Sequence, residues 1–439
     1  YVYPEFVPER IAPVGHLAWY EGGYAATGVA VDLTFSDGRV LANSGVVDHH
    51  GFAADAESQG RSKSIGVDQW TRKAVDLTAF AGTRVQGARA TMSAHGVADG
   101  LVCWPDGPSV EPATRLGETP ADLVDTRRGT YSSGDFSRGN TVPATARPHG
   151  AVLTIPLTSE SSSWPYSYHR DNDAENRTPF LGLGLSHAAT PWFGDWGRFH
   201  LSPALVDGDV CVRFSHADEV ARPHEYRVLL DNGISVLAAP TRHGCTVRFT
   251  FPQGAGRVVF DERAAPGEVR LMEHDGDLLV VGRNRHRDPI VAGAPITHYA
   301  VRFGRRGVVG SEPGDWTDRV EVVVPDREVT LCVASSLIDL DHALATLDRE
   351  FVAGGPAAVA AEAKAEWNEL LGRVTVEGAS PDRLVAFYSC LYRLFLYPNL
   401  IGEADGRGGV ESANVFDFQP GVPPDATGPV PDDVAINNG

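Results

Sequence analysis

Residues 226–251 read YRVLLDNGISVLAAPTRHGCTVRFTF, and this stretch decides the fold class. Two runs of alternating apolar and polar residues flank Asp231-Asn232-Gly233. An Asn-Gly pair accepts the positive φ angles that a tight hairpin demands, and a side-chain period of two marks strands with one buried face. The unit is therefore an antiparallel hairpin.

Working outward, further short β runs follow near residues 258–260, 269–272, 278–281, 299–303, 320–324 and 329–333. No helical pattern interrupts them, which excludes a Rossmann or TIM-barrel layout. A large antiparallel sandwich over residues 121–337 is the natural outcome. Upstream, Val29, Val31, Leu33 and Phe35 alternate with smaller or polar residues before the turn Ser36-Asp37-Gly38, as in a hairpin. Residues 75–77 and 85–92 read as further strands separated by Gly82. Residues 1–113 thus form a separate jelly-roll-like β module. The proline- and glycine-rich stretch 105–120 reads as linker, with the connection proper at 114–120.

Downstream the pattern turns helical. Leu340, Leu344, Leu347 and Phe351 lie at helical spacing before Gly354-Gly355; Pro356 opens a second helix with the stripe Val359, Ala363, Trp367 and Leu370, which Gly372 is placed to stop. These make a helical linker over 338–372. After a short strand at 374–376, Ser380-Pro381-Asp382 supplies a cap, a pre-set first turn and a charge that suits the helix dipole. Leu384, Phe387, Tyr388, Leu391, Leu394 and Phe395 then share one helical face, which Val385, Tyr392 and Leu396 widen until little polar surface is left. Such a helix needs partners, so residues 373–439 are expected to begin a many-helix domain that continues in other polypeptide. Residues 402–439 lack periodicity and read as a loop.

The chain has 439 residues, 42% of them hydrophobic, and a formal charge of -19. Length and composition permit two or three domains with sizeable cores, while the acidity argues against nucleic acid or an anionic membrane as partner. Lysine occurs only at Lys63, Lys73 and Lys364, and no apolar run is long enough for a membrane span. No signal peptide heads the chain, and Tyr1 in place of methionine suggests a processed or trimmed start; a secreted or cell-surface, bacterial protein is expected. Five cysteines lack CxxC spacing, which speaks against zinc; Cys390, on the apolar helix, reads as a small buried side chain.

For chemistry, the segment 163–203 gathers Trp164, Tyr166, Tyr168, His187, Trp192, Asp195 and Trp196. Aromatic faces stack on sugar C-H faces while carboxylates, imidazoles and guanidinium groups bind hydroxyls. The mixture suits a carbohydrate pocket; an aromatic sandwich core with satisfied polar groups is the alternative. Asp48-His49-His50 could be a metal fragment, but adjacent strand residues face opposite ways, so it reads as structural or surface. His224-Glu225 lacks the second histidine of a zincin, no GxSxG or P-loop occurs, Asp432-Asp433 reads as a solvated charge pair, and Asn176-Arg177-Thr178 matches a glycosylation acceptor.

An ordered set of motifs then stands out. Val124-Asp125-Thr126-Arg127-Arg128-Gly129-Thr130, Phe136-Ser137-Arg138-Gly139-Asn140-Thr141, Pro143-Ala144, Pro148, Gly150 and Pro156 resemble the opening of glycoside hydrolase family 92, the calcium-dependent α-mannosidases. Gly184-Leu185-Ser186-His187, Pro191-Trp192-Phe193-Gly194-Asp195-Trp196-Gly197, Ser202-Pro203 and Leu229-Leu230-Asp231-Asn232-Gly233 are similar to its following blocks. Trp367-Asn368, Phe387-Tyr388, Leu391-Tyr392 and Pro398-Asn399 extend the resemblance to about residues 121–400.

The resemblance implies a β-supersandwich, a helical linker and the start of an (α/α)6 barrel, with residues 1–113 similar to an accessory carbohydrate-binding-like module. It implies an inverting exo-α-mannosidase acting on terminal α-mannosides of glycans, with the catalytic carboxylates and the calcium ligands on a C-terminal (α/α)6 portion beyond Gly439. The chain alone is then expected to be inert, and it would contribute a wall of the sugar site through Arg128, Trp164, His187, Trp192 and Asp195. One departure matters: the family's Asn-Pro-Phe-Ile is here Asp125-Thr126-Arg127-Arg128. This removes an aromatic contact and leaves Arg127 or Arg128 to meet a charged group, such as the phosphate of a mannose-phosphate linkage. The competing class is a non-catalytic carbohydrate-binding β protein.

Overall fold

The computed structural model describes residues 2–8, 27–62, 71–94, 103–110, 119–130, 141–159, 165–168, 170–187, 198–262, 267–284, 296–304, 309–310, 314–350, 354–379, 381–404, 409–413, 427–429 and 436–437. The chain divides into two compact units. The first comprises Tyr1–Leu116, Ser133–Arg138 and His169–Asn176; the second comprises Gly117–Ser132, Gly139–Tyr168 and Arg177–Gly439.

The first unit contains β1 (Val2–Pro8), β2 (Thr27–Phe35), α1 (Ala56–Ser62), β3 (Thr71–Arg72), β4 (Val85–Ala94) and β5 (Cys103–Val110). They pair antiparallel in the orders β3-β1-β5 and β2-β4. The turn at 36–38 exists, with Gly38 at φ 85. Its sequence reading as a hairpin fails, however: beyond a lone Thr34–Val40 bridge, β2 takes β4 as its partner. Residues 75–77 form only a bridge to Asp48 and lead into a 3-10 turn at Thr78–Phe80. The stretch 105–110, read as linker, lies in β5 because its backbone pairs with β1; as an edge strand β5 tolerates its prolines. Val31, Leu33, Phe35, Leu41, Val75 and Phe80 form the local core, with Phe35 and Phe80 stacked at 3.9 Å. Asp48 is buried and accepts bonds from Lys73 Nζ (3.1 Å), Gln59 Nε2 (3.0 Å) and two backbone amides, the structural role expected of it.

The second unit holds α2 (Pro120–Leu123) and β6 (Leu153–Leu157), β7 (Thr178–Phe180), β8 (Gly182–Ser186), β9 (Phe199–Leu205) and β10 (Val212–Ala221). β11 (Tyr226–Leu230), β12 (Ser235–Pro240), β13 (Gly244–Thr250), β14 (Gly256–Asp261) and β15 (Gly267–His274) follow. β16 (Asp277–Asn284), β17 (Thr297–Phe303), β18 (Val309–Gly310), β19 (Arg319–Val324) and β20 (Glu328–Ser336) complete the sandwich. One sheet has the order β15-β16-β17-β20-β13-β12-β11-β10-β7; the other has β18-β19-β14-β9-β8-β6. The quoted hairpin is β11–β12, with Leu229 opposite Ser235 and Tyr226 opposite Ala238, and Gly233 at φ 85 in its turn.

Between the sheets, Phe199, Phe214, Tyr226, Phe249, Phe260, Tyr299, Val301 and Val322 are among the residues of one apolar core. Phe199 stacks on Tyr299 at 4.7 Å and on Phe260 at 5.8 Å. β11 keeps the expected alternation, burying Tyr226, Val228 and Leu230 while Arg227 and Leu229 face out. β12 and β13 lose it because a third layer covers their outer face. There α3 (Leu340–Glu350) packs Ala343, Leu344 and Leu347 on Leu279, Val281, Ala300, Cys332 and Ala334, and α4 (Gly355–Leu371) packs Val359 and Ala360 on Ala239. Arg147 helps to fasten α4: its Nε donates to Pro240 O (2.9 Å) and its Nη atoms pair with Glu366 (2.9 Å) and Glu362 (3.1 Å).

α5 (Pro381–Leu394) packs beside β6, the edge strand of the other sheet. Tyr388, Tyr392 and Leu396 join Trp367, Leu371, Leu153, Ile155 and Leu157 in a second core. The rest of its wide apolar face is only half-buried at Leu384, Val385, Phe387, Leu391 and Phe395, and Leu394 is 69% exposed. Cys390 is exposed, contrary to its reading as buried, because the docked face is set by Tyr388, Ser389 and Tyr392. Residues 374–376 form no strand. The supposed loop 402–439 instead contains the small sheet β22 (Gly402–Ala404), β23 (Val410–Ala413) and β24 (Thr427–Pro429), and β21 (Asn399–Leu400) pairs with β25 (Ile436–Asn437). Among the described residues no helix is long and apolar enough to cross a membrane.

Candidate functional site

The site grows from the segment after α2, a helix opened by Pro120 and by Thr119, whose Oγ1 bonds Asp122 at 2.7 Å. The chain then turns sharply. Arg128 N donates to Asp125 O (3.2 Å), Thr130 N to Arg127 O (3.1 Å), and Gly129 takes the left-handed φ of 86 that a side chain would resist. Thr126 N reaches Ala221 O (3.2 Å), which anchors the turn to β10.

Beneath this turn lies a cluster of charges. Arg127 grips Asp125 with two prongs, Nε to Oδ1 at 2.9 Å and Nη2 to Oδ2 at 3.2 Å, and its Nη1 reaches Glu219 Oε2 at 3.2 Å. The Glu219 side chain is 0% exposed and accepts from His216 Nδ1 (2.7 Å), Tyr226 OH (3.0 Å) and, at 3.4 Å, Tyr166 OH. His216 stacks flat on Tyr168 at 3.8 Å, and its Nε2 lies 2.6 Å from Tyr168 O. Burial works to raise the Glu219 pKa, but His216, Arg127 and Tyr226 outweigh it and hold the carboxyl below its ordinary value. Burial is likewise outweighed at Asp125, which Arg127 keeps well below the carboxylate range. Both tyrosine hydroxyls are pushed up by burial and by the nearby Glu219 charge, so they remain donors.

From the other side α5 holds the same turn. Arg393 donates Nη2 to Thr126 O (2.8 Å) and to Arg128 O, and Nη1 to Val142 O (3.4 Å). Asp125 N donates to Ser389 Oγ (2.9 Å), Tyr392 OH to Ala144 O, and Trp367 Nε1 to Ala146 O (2.7 Å). Just past the helix, Tyr397 OH donates to His187 O (2.8 Å), and His149 Nδ1 lies 2.7 Å from Pro398 O. Most of these bonds satisfy backbone carbonyls, and all but that of Trp367 on α4 come from the last turns of α5 or lie just past it.

Of the five residues expected to meet a sugar, Trp164, Trp192 and Asp195 lie outside the described residues. Arg128 and His187 are brought to the same end of α5, through Arg393 and Tyr397 respectively. His187 is buried just beyond β8. Arg128 is half-buried, and its guanidinium has no partner among the described residues. Arg127 is corrected: its guanidinium is held by Asp125 and Glu219, which leaves it no free face for a phosphate. Sequence reading missed Glu219 and His216. They turn inward where the β10–β11 register shifts between Phe214 and Glu219, and a bulge of this kind leaves no trace in an alternation pattern. Among the described residues no group of three or more His, Cys, Asp or Glu side chains is placed to hold a metal ion.

The sequence model of the glycosyl hydrolase family 92 N-terminal domain matches residues 123–303, and that of the family's catalytic domain matches residues 342–421. A search of curated proteins finds no significant match. Among solved structures, a family 92 inverting mannosidase from Bacteroides thetaiotaomicron is 28% identical, with a TM-score of 0.60 over 70% of this chain and 43% of its own. A second family 92 α-mannosidase from the same organism is 20% identical, with a TM-score of 0.55 over 68% of this chain and 43% of its own, and shares the fold. The chain thus spans less than half the length of these relatives. Two models of one family match in order across the sandwich and the helices that dock on it, and on that ground the chain belongs to glycoside hydrolase family 92.

Proposed function

We propose that this chain forms the sandwich side and the first catalytic-domain helices of an inverting exo-α-mannosidase that removes terminal α-mannose from glycans. The observation that carries this reading is the joining of the two matched regions at one place. Residues 125–130 and 187, from the N-terminal match, are tied by hydrogen bonds to Ser389, Arg393 and Tyr397, from the catalytic-domain match. A binding module with an attached helix would not need that stitching.

In this reading a carboxylic acid protonates the leaving oxygen while a carboxylate on the opposite face activates water, both carried by catalytic-domain polypeptide beyond the residues described. The calcium that the family resemblance implies, a hard cation taking oxygen ligands, is assigned to that same polypeptide. This chain's part is binding: Trp164 and Trp192 stack on the sugar, while Arg128, His187 and Asp195 orient its polar groups. Because Arg127 is already paired, Arg128 is the residue to receive a phosphate if the mannose is joined through one. The accessory module adds glycan contacts, and the setting is secreted or cell-surface and bacterial.

The test is mannose release from α-mannosides by this chain alone and together with catalytic-domain polypeptide, with and without a chelator. Activity is expected only from the combination, and the chelator should abolish it. Release by this chain alone would contradict the placement of the carboxylates; none from the combination would reject the activity. Arg128→Ala should weaken phosphorylated substrates more than neutral ones, and equal loss on both would remove the phosphate role.

A further inference from the structure

Two neighbouring arginines have opposite fates. Arg127 donates Nε and Nη2 to Asp125 and Nη1 to Glu219, while the Arg128 guanidinium has no partner among the described residues. The backbone that presents Arg128 is held entirely from outside its own side chain. Its N–H goes to Asp125 O, its carbonyl accepts from Arg393, and Thr130 Oγ1 donates to Arg127 O at 2.6 Å. Asp125, the residue that starts the turn, is held by Arg127, and Arg127 in turn by Glu219.

Glu219 itself cannot reach a ligand. Its side chain has no exposed surface and already accepts from Arg127, His216, Tyr226 and Tyr166. A fully buried carboxylate with this many donors is rigid, and it fixes the position of whatever charge is pinned to it. We propose that Glu219 is a positioning residue: through the Arg127 fork it sets the 125–130 turn and so aims the Arg128 guanidinium at the polar groups of the substrate. The inference rests on the reading of this chain as a wall of the mannoside site. Arg128 then contributes equally to bound substrate and transition state, so losing its aim raises KM and leaves kcat nearly unchanged.

The experiment uses the enzyme with its complete catalytic domain, assayed on a neutral aryl α-mannoside, and compares Arg127→Lys, Glu219→Gln and Arg128→Ala singly and in pairs. Lysine keeps a cation beside both carboxylates but loses the fork. Arg127→Lys should raise KM about five-fold with kcat within about two-fold, and in an Arg128→Ala background the same change should move KM by less than about two-fold. Glu219→Gln should behave alike; if it fails to fold, Arg127→Lys alone decides. An equal factor in both backgrounds, or no change in KM, overturns the proposal while leaving the enzyme's activity intact. A wild-type enzyme inert on α-mannosides sinks the functional reading and this inference with it.

Discussion

Glu262 offers a quantitative handle on the sandwich. It is buried at the end of β14, where Oε1 accepts from His200 N (3.1 Å) and Oε2 from Asn284 Nδ2 (2.8 Å), with 2% of the residue exposed. Burial is the main cause that raises its pKa from 4.5 to about 8; the bonds from Asn284 and His200 only partly offset it. The folded protein therefore keeps a proton that the unfolded chain releases at the ordinary carboxyl value. The contribution is fully present below pH 4.5, declines across the interval and is lost as the pH rises through about 8. At ~1.36 kcal/mol for each pH unit, the interval corresponds to on the order of 5 kcal/mol. Glu262→Gln supplies a neutral side chain of nearly the same shape, whose Oε1 can still accept from Asn284 Nδ2, which also donates to Arg198 O (2.8 Å). The variant should match wild type within about 1 kcal/mol at pH 5 and exceed it at pH 8.5, by roughly 5–10 °C in melting temperature. Thermal melts followed by circular dichroism at pH 5, 7 and 8.5 make the comparison. A constant offset at all three values would refute the reasoning, and a larger loss at pH 8.5 than at pH 5 would show that Glu262 is buried as a paired anion.

Two other perturbations test other layers. His243 sits between Glu350 Oε1 (2.7 Å from Nδ1) and Gly402 O (3.1 Å from Nε2); burial lowers its pKa, but Glu350 and then Glu403 outweigh that and raise it above 6.5. Its contribution is complete below pH 6.5 and fades as the pH rises through the folded value, so amide exchange at Gly402–Ala404, corrected for intrinsic rate, should quicken toward alkaline pH. His243→Gln should remove that pH dependence and cost about 1–3 kcal/mol at pH 6; exchange that ignores both pH and the substitution would discount the clamp. At Gly244 a Cβ would lie 1.8 Å from Val333 O, a backbone atom at the end of the β13–β20 ladder. Gly244→Ala should cost about 3 kcal/mol or more, and a melting temperature within about 2 °C of wild type would show that the ladder yields.

Most strands of the sandwich from β11 onward were legible because each advertises itself locally, whereas β6 to β10 were not singled out in the sequence. The turn at Asp231-Asn232-Gly233 and the alternation of β11 depend on neighbours in sequence, and so do the helical stripes of α3 and α4. Pairing is a different kind of information. β2 carried a hairpin turn yet paired with β4 some fifty residues on, since a period of two says that a strand has two faces and not which edge it meets. α1 spans only seven residues and the strands after 400 only two to four, too short for any period to rise above composition. Cys390 was misplaced for a related reason: a helix apolar nearly all round does not reveal which arc docks first.

The candidate site was legible in composition and opaque in arrangement, and charge is the reason. Arg127 and Arg128 are indistinguishable in sequence, since both are cations beside a glycine turn. What separates them is a carboxylate about ninety residues away, turned inward at a register shift, whose 3.2 Å bond engages Arg127, while Arg128 has no side-chain partner among the described residues. Burying Glu219 is costly unless it is compensated, and its compensation comes from Arg127, His216, Tyr226 and Tyr166, drawn from separate parts of the chain. An apolar stripe can be inferred one element at a time, because each residue gains by leaving water whatever it touches. A buried charge is tolerated only by the set that surrounds it, so its place becomes readable only once the sandwich has brought that set together.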